Sequence, residues 1–288
     1  MRTKFLSWIV MFAMAACLAL SAQAQTGRVA GRIVAAKVKG TVTATNTVDN
    51  SKHELKDNDA ITEKYVVTTA QNSSVILVFS NGSTINLAQD STLSIEEFLQ
   101  DPFSTSYSMA TATAEPSTST TKLTLARGEL VGNVKHLNKD QGSSFTVNTP
   151  VGAAGIRGTT FRIVFRPDSS GKAFFTLSTA EGEVILTGAA PGGTAVPTGK
   201  EVVVEVEVTV DAATGTVTVT APPTVVTQDI PAATQAAIQT AAQEIVTANQ
   251  EVIFTSATTS NSTPPPAPPE PPPPAPKPQD TTTPGDGK

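Results

Sequence analysis

The chain is poor in the residues that usually build reactive sites. Cysteine occurs once, at Cys17, and histidine twice, at His53 and His136. One cysteine cannot form an internal disulfide framework or a multi-thiolate zinc site. His53 lies in Ser51-Lys52-His53-Glu54 and His136 in Lys135-His136-Leu137-Asn138, both read as solvated and unliganded. No Lys/Arg run is present, and nucleic-acid binding needs a clustered basic face, so that class is set aside. HExxH, GxSxG, P-loop and GxGxxG patterns are all missing. Asp57-Asn58-Asp59 lacks the following glycine and distal glutamate of a calcium loop and reads as a turn. Glu96-Glu97 reads as an exposed pair. The expectation is a non-enzymatic protein with no catalytic residue, cofactor or metal.

What is present is a chain with two unusual ends. Arg2 and Lys4 precede an apolar stretch from Phe5 to Leu20, followed by Ala22-Gln23-Ala24. Charge, length and small residues match a secretory signal peptide, 1–24, cleaved after Ala24. The stretch is shorter than the ~20 residues of a spanning helix, so no transmembrane span is expected in the mature chain. The reading places the protein outside the cytoplasm, in the periplasm or at the cell surface. A lipid anchor on Cys17, within Ala15-Ala16-Cys17, is the weaker alternative, because Leu18-Ala19-Leu20 continues the apolar run. Removing Arg2 and Lys4 takes the formal charge from −5 to −7. At the other end, Pro264 to Pro278 is almost all proline, a semi-rigid polyproline spacer of roughly 45 Å. Residues 255–288 are expected to be a disordered tail.

Between the ends, Thr and Val, β-branched and suited to a pleated surface, recur in short runs broken by turn residues. Val75 to Phe79 is a continuous apolar run, expected to be a strand buried on both faces. Ser80-Asn81-Gly82-Ser83 follows, and Asn-Gly predicts a type I′ hairpin. Phe161, Ile163 and Phe165 alternate with Arg162 and Val164, so the phenylalanines share a face opposite the arginines. Val202, Val204, Val206, Val208 and Val210 share one face, and Glu201, Glu205 and Glu207 are assigned to a water-facing side. Residues 101–121 read as a polar surface loop. Lys39-Gly40-Thr41-Val42, Arg127-Gly128-Glu129-Leu130 and Glu181-Gly182-Glu183-Val184 echo one another as charge–Gly–polar–aliphatic, each starting a strand after a glycine turn. Residues 229–254 carry Ile230, Ala233, Ala237, Ala241, Ile245, Ala248 and Val252 at helical spacing, with Asp229 as N-cap. That amphipathic helix is expected to dock on the β domain, with a partner helix as the sharper alternative.

Three stretches resemble the FecR domain family. The first is Val75 to Phe79 with Asn81-Gly82-Ser83 and the strand after it. The second is Leu123-Thr124-Leu125-Ala126-Arg127-Gly128-Glu129-Leu130. The third, and most specific, runs from Phe145 through Thr149-Pro150-Val151-Gly152, Arg157-Gly158-Thr159 and Phe161, with Gly182 following. The resemblance implies an all-β domain over 29–220, a twisted sandwich or a solenoid-like stack of short strands. Its motif residues are Asn81, Gly82, Gly128, Thr149, Pro150, Gly152, Arg157, Gly158, Thr159, Phe161 and Gly182. Arg157 is read first as a structural arginine bonding turn carbonyls or a carboxylate, and second as a ligand contact. The family's archetype relays an outer-membrane signal to a sigma factor through a cytoplasmic segment. Only Met1 to Lys4 precede the apolar stretch here, so the expectation is a binding or scaffolding module whose partner is an envelope protein or polysaccharide. The alternative is a periplasmic sensor acting on a sigma-factor pathway through a membrane partner.

Mass spectrometry of the exported protein is expected to find a mature chain beginning at Gln25; a diacylglyceryl group on Cys17 would replace that reading with a lipoprotein.

Overall fold

A computed structural model describes residues 27–255, apart from 104, 169 and 212–216. The leader with Cys17 and the proline-rich segment lie outside the described residues. Almost all regular structure is strand, arranged in two sheets. Across the first sheet the order is β4 (Lys52–Glu54), β3 (Val42–Asn46), β6 (Tyr65–Thr69), β9 (Thr92–Gln100) and the N-terminal part of β11 (Ser119–Asn133). It continues through β12 (Ser144–Thr149), β13 (Gly152–Ile156), β16 (Glu183–Thr187) and β17 (Thr194–Pro197). The second sheet runs β5 (Ala60–Ile61), β2 (Ile33–Lys39), β7 (Ser74–Phe79), β8 (Thr84–Leu87) and the C-terminal part of β11. It continues through β14 (Thr160–Pro167), β15 (Lys172–Glu181), β18 (Lys200–Val210) and β20 (Thr224–Asp229). β11 and β12 are parallel; the other named pairs in both sheets are antiparallel. The short β1 (Val29–Ala30) and β19 (Val217–Val219) pair with β9 and β18, and β10 (Tyr107–Ser108) pairs with β21 (Ile253–Phe254).

The inner faces share one core. Phe79 of the second sheet meets Phe98 and Phe145 of the first edge to face, with centroids 5.2 and 6.3 Å apart. Such pairs add about 1 kcal/mol each beyond their burial. Phe161, Ile163 and Phe165 are fully buried in the same core, as their alternation predicts. Val75, Leu77 and Phe79 point into it, while Ile76 and Val78 enter a second apolar cluster on the outer face. Val75 to Phe79 is thus buried on both sides, as expected for a continuous apolar run.

β11 belongs to both sheets and joins the two layers of the sandwich into one continuous assembly. Ser119 to Arg127 pair with β9, and Gly128 to Asn133 pair with β8 and β14. A register shift between Leu125 and Arg127 marks a bulge, and Gly128 follows at φ +104°. Bulges and bends are how a strand turns a sandwich corner. A Cβ at Gly128 would lie 2.1 Å from Ser91 Oγ and 2.4 Å from Ser91 Cα. Ser91 fills that space, and its Oγ accepts the Glu129 N–H at 3.0 Å.

Helix α1 (Ala232–Asn249) packs across β7, β8, β11 and β14 on the second sheet's outer face. It buries Ile238 and Ile245 against Val131, and Ala248 against Ile76 and Val78. Each buried isoleucine contributes roughly 1.5–3 kcal/mol. The expected stripe is corrected: Ile238, not the exposed Ala237, anchors the N-terminal half. Asp229 is not the cap, because it ends β20 and pairs with Lys200 at 2.8 Å; Pro231 holds that place and offers no side-chain bond.

Three further expectations change. Residues 101–121 are not simply a surface loop, since Phe103 and Met109 are buried with Phe254, and Ser119 to Thr121 open β11. Glu201 does not face water; it is 3% exposed, accepting from Ser178 Oγ at 2.6 Å and Gln228 Nε2 at 3.1 Å. The turn after β7 is not type I′, because Gly82 (φ +92°) but not Asn81 has positive φ. Gly82 N–H donates to the Phe79 carbonyl, the pattern of a type I turn closed by a glycine bulge.

Substituting Gly128→Ala is expected to destabilise by about 3 kcal/mol, since positive φ and the Ser91 clash act together. Urea unfolding with an unchanged m-value checks this, and a shift below 1 kcal/mol would show that the bend relaxes freely.

Candidate functional site

The motif residues gather where the chain crosses between sheets. Thr149 Oγ1 donates to the Gly152 carbonyl at 2.9 Å and accepts the Gly152 N–H at 3.3 Å, locking the turn around Pro150. A Cβ on Gly152 would lie 2.2 Å from the Thr187 carbonyl, so the strands meet there only without a side chain. After β13 the chain leaves the first sheet, and β14 starts in the second. Arg157, Gly158 and Thr159 form that crossing. The Thr159 carbonyl takes the Val134 N–H at 2.9 Å, and Phe161 fills the space over Gly132. The return crossing at Gly182, between β15 and β16, lies against it: a Cβ there would sit 2.5 Å from Thr159 Cγ2 and 2.9 Å from the Gly158 carbonyl.

The echo noted in the sequence therefore has a geometric meaning. Gly40, Gly128 and Gly182, at φ +66°, +104° and +79°, all stand where the chain passes from one sheet to the other.

Asn81 is wholly buried. Its Nδ2 donates to Ser119 Oγ at 3.1 Å and Thr121 Oγ1 at 3.2 Å, and its Oδ1 accepts the Ser83 N–H at 3.0 Å. The β7–β8 turn is thereby pinned to the start of β11. Ser119 Oγ passes the chain of bonds to Glu115, a buried carboxylate that also receives the Asn138 N–H and Ser143 Oγ. Glu115 was not singled out from sequence, since it stands beside Pro116 in a segment without periodicity. It ties the 101–118 segment to β11 and β12.

Gly82 connects this network to the crossing. A Cβ there would meet the Tyr107 hydroxyl at 2.3 Å and Lys135 Cγ at 3.0 Å. Tyr107 donates to the Ala114 carbonyl at 2.6 Å, and burial, with the Glu115 charge second, raises its pKa far above the ordinary phenol value. Partial burial lowers the Lys135 pKa. On Lys135's other side, His136 lies beside Gly158. A rim thus runs from Gly82 through Lys135 and His136 to Gly158 and Arg157.

Arg157 does not do what was first expected of it. It is exposed and makes no hydrogen bond or ion pair among the described residues. Motif residues on either side of it are committed to packing or to backbone bonds, and its guanidinium projects from them. Glu129, by contrast, is engaged by Arg162 at 2.7 Å and Arg166 at 3.5 Å. A concavity of about 470 Å³ opens between α1 and the sheet, lined by Lys39, Asn86, Gln89, Glu129, Thr240 and Glu244. Its Glu244 is held by Asn86 at 2.8 Å and Lys39 at 3.4 Å. His53 lies on the exposed β4 with Tyr65 edge-on, and Glu96 accepts from Thr124 Oγ1 with Lys122 at 3.2 Å.

The fold is an all-β sandwich whose two sheets share β11 and exchange the chain at glycines, with Arg157 exposed at one crossing. The family model described as "FecR protein" matches residues 65–185, and the chain carries a FecR domain. Two crystal structures of a candidate anti-sigma factor from Parabacteroides distasonis ATCC 8503, at 2.50 and 1.65 Å, are similar at 14% identity. Their TM-scores are 0.39 and 0.38, over 60% of this chain and 62% and 63% of theirs, so less than two thirds of that protein is represented. No curated protein matches the chain.

Asn81→Ala leaves two buried hydroxyls short of a partner and is expected to cost about 2 kcal/mol. Thermal unfolding checks this, and an unchanged midpoint would show that water replaces the amide without loss.

Proposed function

We propose that the chain is an exported, non-enzymatic recognition module of the bacterial envelope, and that the rim at Arg157 is its contact surface. The proposed organisation is a leader over 1–24, a β domain that runs from 29 through β20, the helix α1 within 229–254 and a proline-rich tail from 255. The observation that carries this reading is the solvent-exposed guanidinium of Arg157, which has no partner among the described residues. A planar five-donor group free of internal duty suits bidentate capture of a carboxylate or phosphate. Lys135 and His136, along the same rim, add positive or hydrogen-bonding character. The partner is an envelope protein or polysaccharide that presents such an acidic group.

A second reading is favoured by the FecR domain itself. The same rim then receives a signal, and the protein acts through a membrane partner on a sigma-factor pathway. Deleting the gene separates the two, since a sensor alters transcription of a regulon and a scaffold leaves the transcriptome unchanged.

In envelope extracts, the purified wild-type chain is expected to retain an acidic partner, and Arg157→Glu to lower its recovery at least tenfold. Circular dichroism should stay unchanged, because Arg157 makes no hydrogen bond or ion pair among the described residues. Lys52→Glu, on the remote β4, serves as the charge-matched control. Equal recovery by the Arg157 variant and the wild type would remove Arg157 from the contact surface.

A further inference from the structure

We infer that β20 is an interface between two copies of this chain, which pair edge to edge across a two-fold axis and continue the second sheet from one copy into the other. Each sheet has two ends, and the four ends are treated differently. β4 closes one with the exposed charges of Lys52 and Glu54. β17 closes another with Pro197, which has no N–H to donate. β5 closes the third with only two residues. Charge, proline and shortness are the usual devices that blunt an edge against association.

β20 has none of these over Thr224-Val225-Val226-Thr227-Gln228. Its first four residues are β-branched, and Val226 is 50% exposed. Its one charge, Asp229, sits at the end and is occupied by Lys200. The Ile230 N–H donates to the Gly199 carbonyl at 3.0 Å. By alternation, the backbone groups of Thr224, Val226 and Gln228 point to β18, and those of Val225 and Thr227 point outward. Among the described residues no strand pairs with that outer side. Phe174, 49% exposed, lies on the same face as Val226, two strands in.

The strand's charge pattern selects a second copy as the occupant. Without charge along its paired length, it cannot discriminate among foreign strands by electrostatic match, yet it complements itself. With Val226 on the axis, Val225 faces Thr227 of the partner subunit and Thr224 faces Gln228 of the partner subunit. Asp229 falls opposite Pro223 of the partner subunit, where the missing N–H ends the ladder. No like charges meet. The two Val226 residues form a non-hydrogen-bonded pair, the closer of the two antiparallel geometries, with Cα atoms about 4.5 Å apart.

The test uses the full mature chain, in which V226C supplies the only thiol. Diamide is the oxidant and takes up the two electrons and two protons released when the disulfide forms. Val226→Cys is expected to cross-link at least tenfold faster than Val48→Cys, a control at a 77% exposed turn position. Sedimentation should give twice the monomer mass for the wild type at tens of micromolar and the monomer mass for Val226→Lys, with circular dichroism unchanged. A wild type that stays monomeric to 1 mM, a Val226→Lys variant that stays dimeric, or equal cross-linking of the two cysteine variants would each overturn the inference. So would β20 amides that become protected only when a foreign protein is added.

Discussion

The molecule depends on one backbone bend. At Gly128 a single fifteen-residue strand leaves one sheet and enters the other, and Ser91 occupies the space that a side chain would need. The bend does more than turn a corner. It places Leu123 and Leu125 in the first sheet and Leu130 in the second, with all three in one apolar cluster. The hydrogen-bonded ladder therefore passes through the core's wall without an edge at that point, and neither sheet can separate without breaking β11.

The other crossings repeat the device with local variation. Gly158 and Gly182 touch, so the outgoing and returning chains brace each other, and Phe161 closes the core directly behind them. This explains how residues with no reactive chemistry can dominate a family signature. Gly152 and Gly182 are required by close approach, Gly158 by its positive φ, Thr149 by its turn bonds to Gly152, and Asn81 by its burial under three hydrogen bonds. Arg157 is the exception in its stretch. Its guanidinium is exposed and has no hydrogen bond or ion pair among the described residues, and that contrast with its packed neighbours is the physical basis of the proposed contact surface.

The strands themselves were largely legible. Alternation in Phe161 to Phe165 and in Val202 to Val208 translates directly into burial, because a period of two allows only one face inward. The FecR resemblance was carried by the same glycines that prove to mark the crossings. Several features were not legible for identifiable reasons. Glu201 is buried by hydrogen bonds from Ser178 and Gln228 on the strands either side of it, long-range partners that no local pattern encodes. Asn-Gly fits two turn types, and Asn81's partners, Ser119 and Thr121, lie some forty residues away. Glu115 and the 101–118 segment have no periodicity, and their order comes from hydroxyl and amide partners on β11 and in the 138–143 stretch. In α1, alanines on both sides of the true stripe blurred its position until Ile238 and Ile245 showed which face was buried.

The central claim is that both sheets form one cooperative unit through β11. Native-state hydrogen exchange tests it most directly, read at the amides of Leu123 and Leu125 in one sheet and Leu130 and Val131 in the other. The bend at Gly128 requires all four to open together, with the same free energy and the same denaturant dependence. Two exchange classes, with one half of β11 opening while the other stays protected, would contradict it.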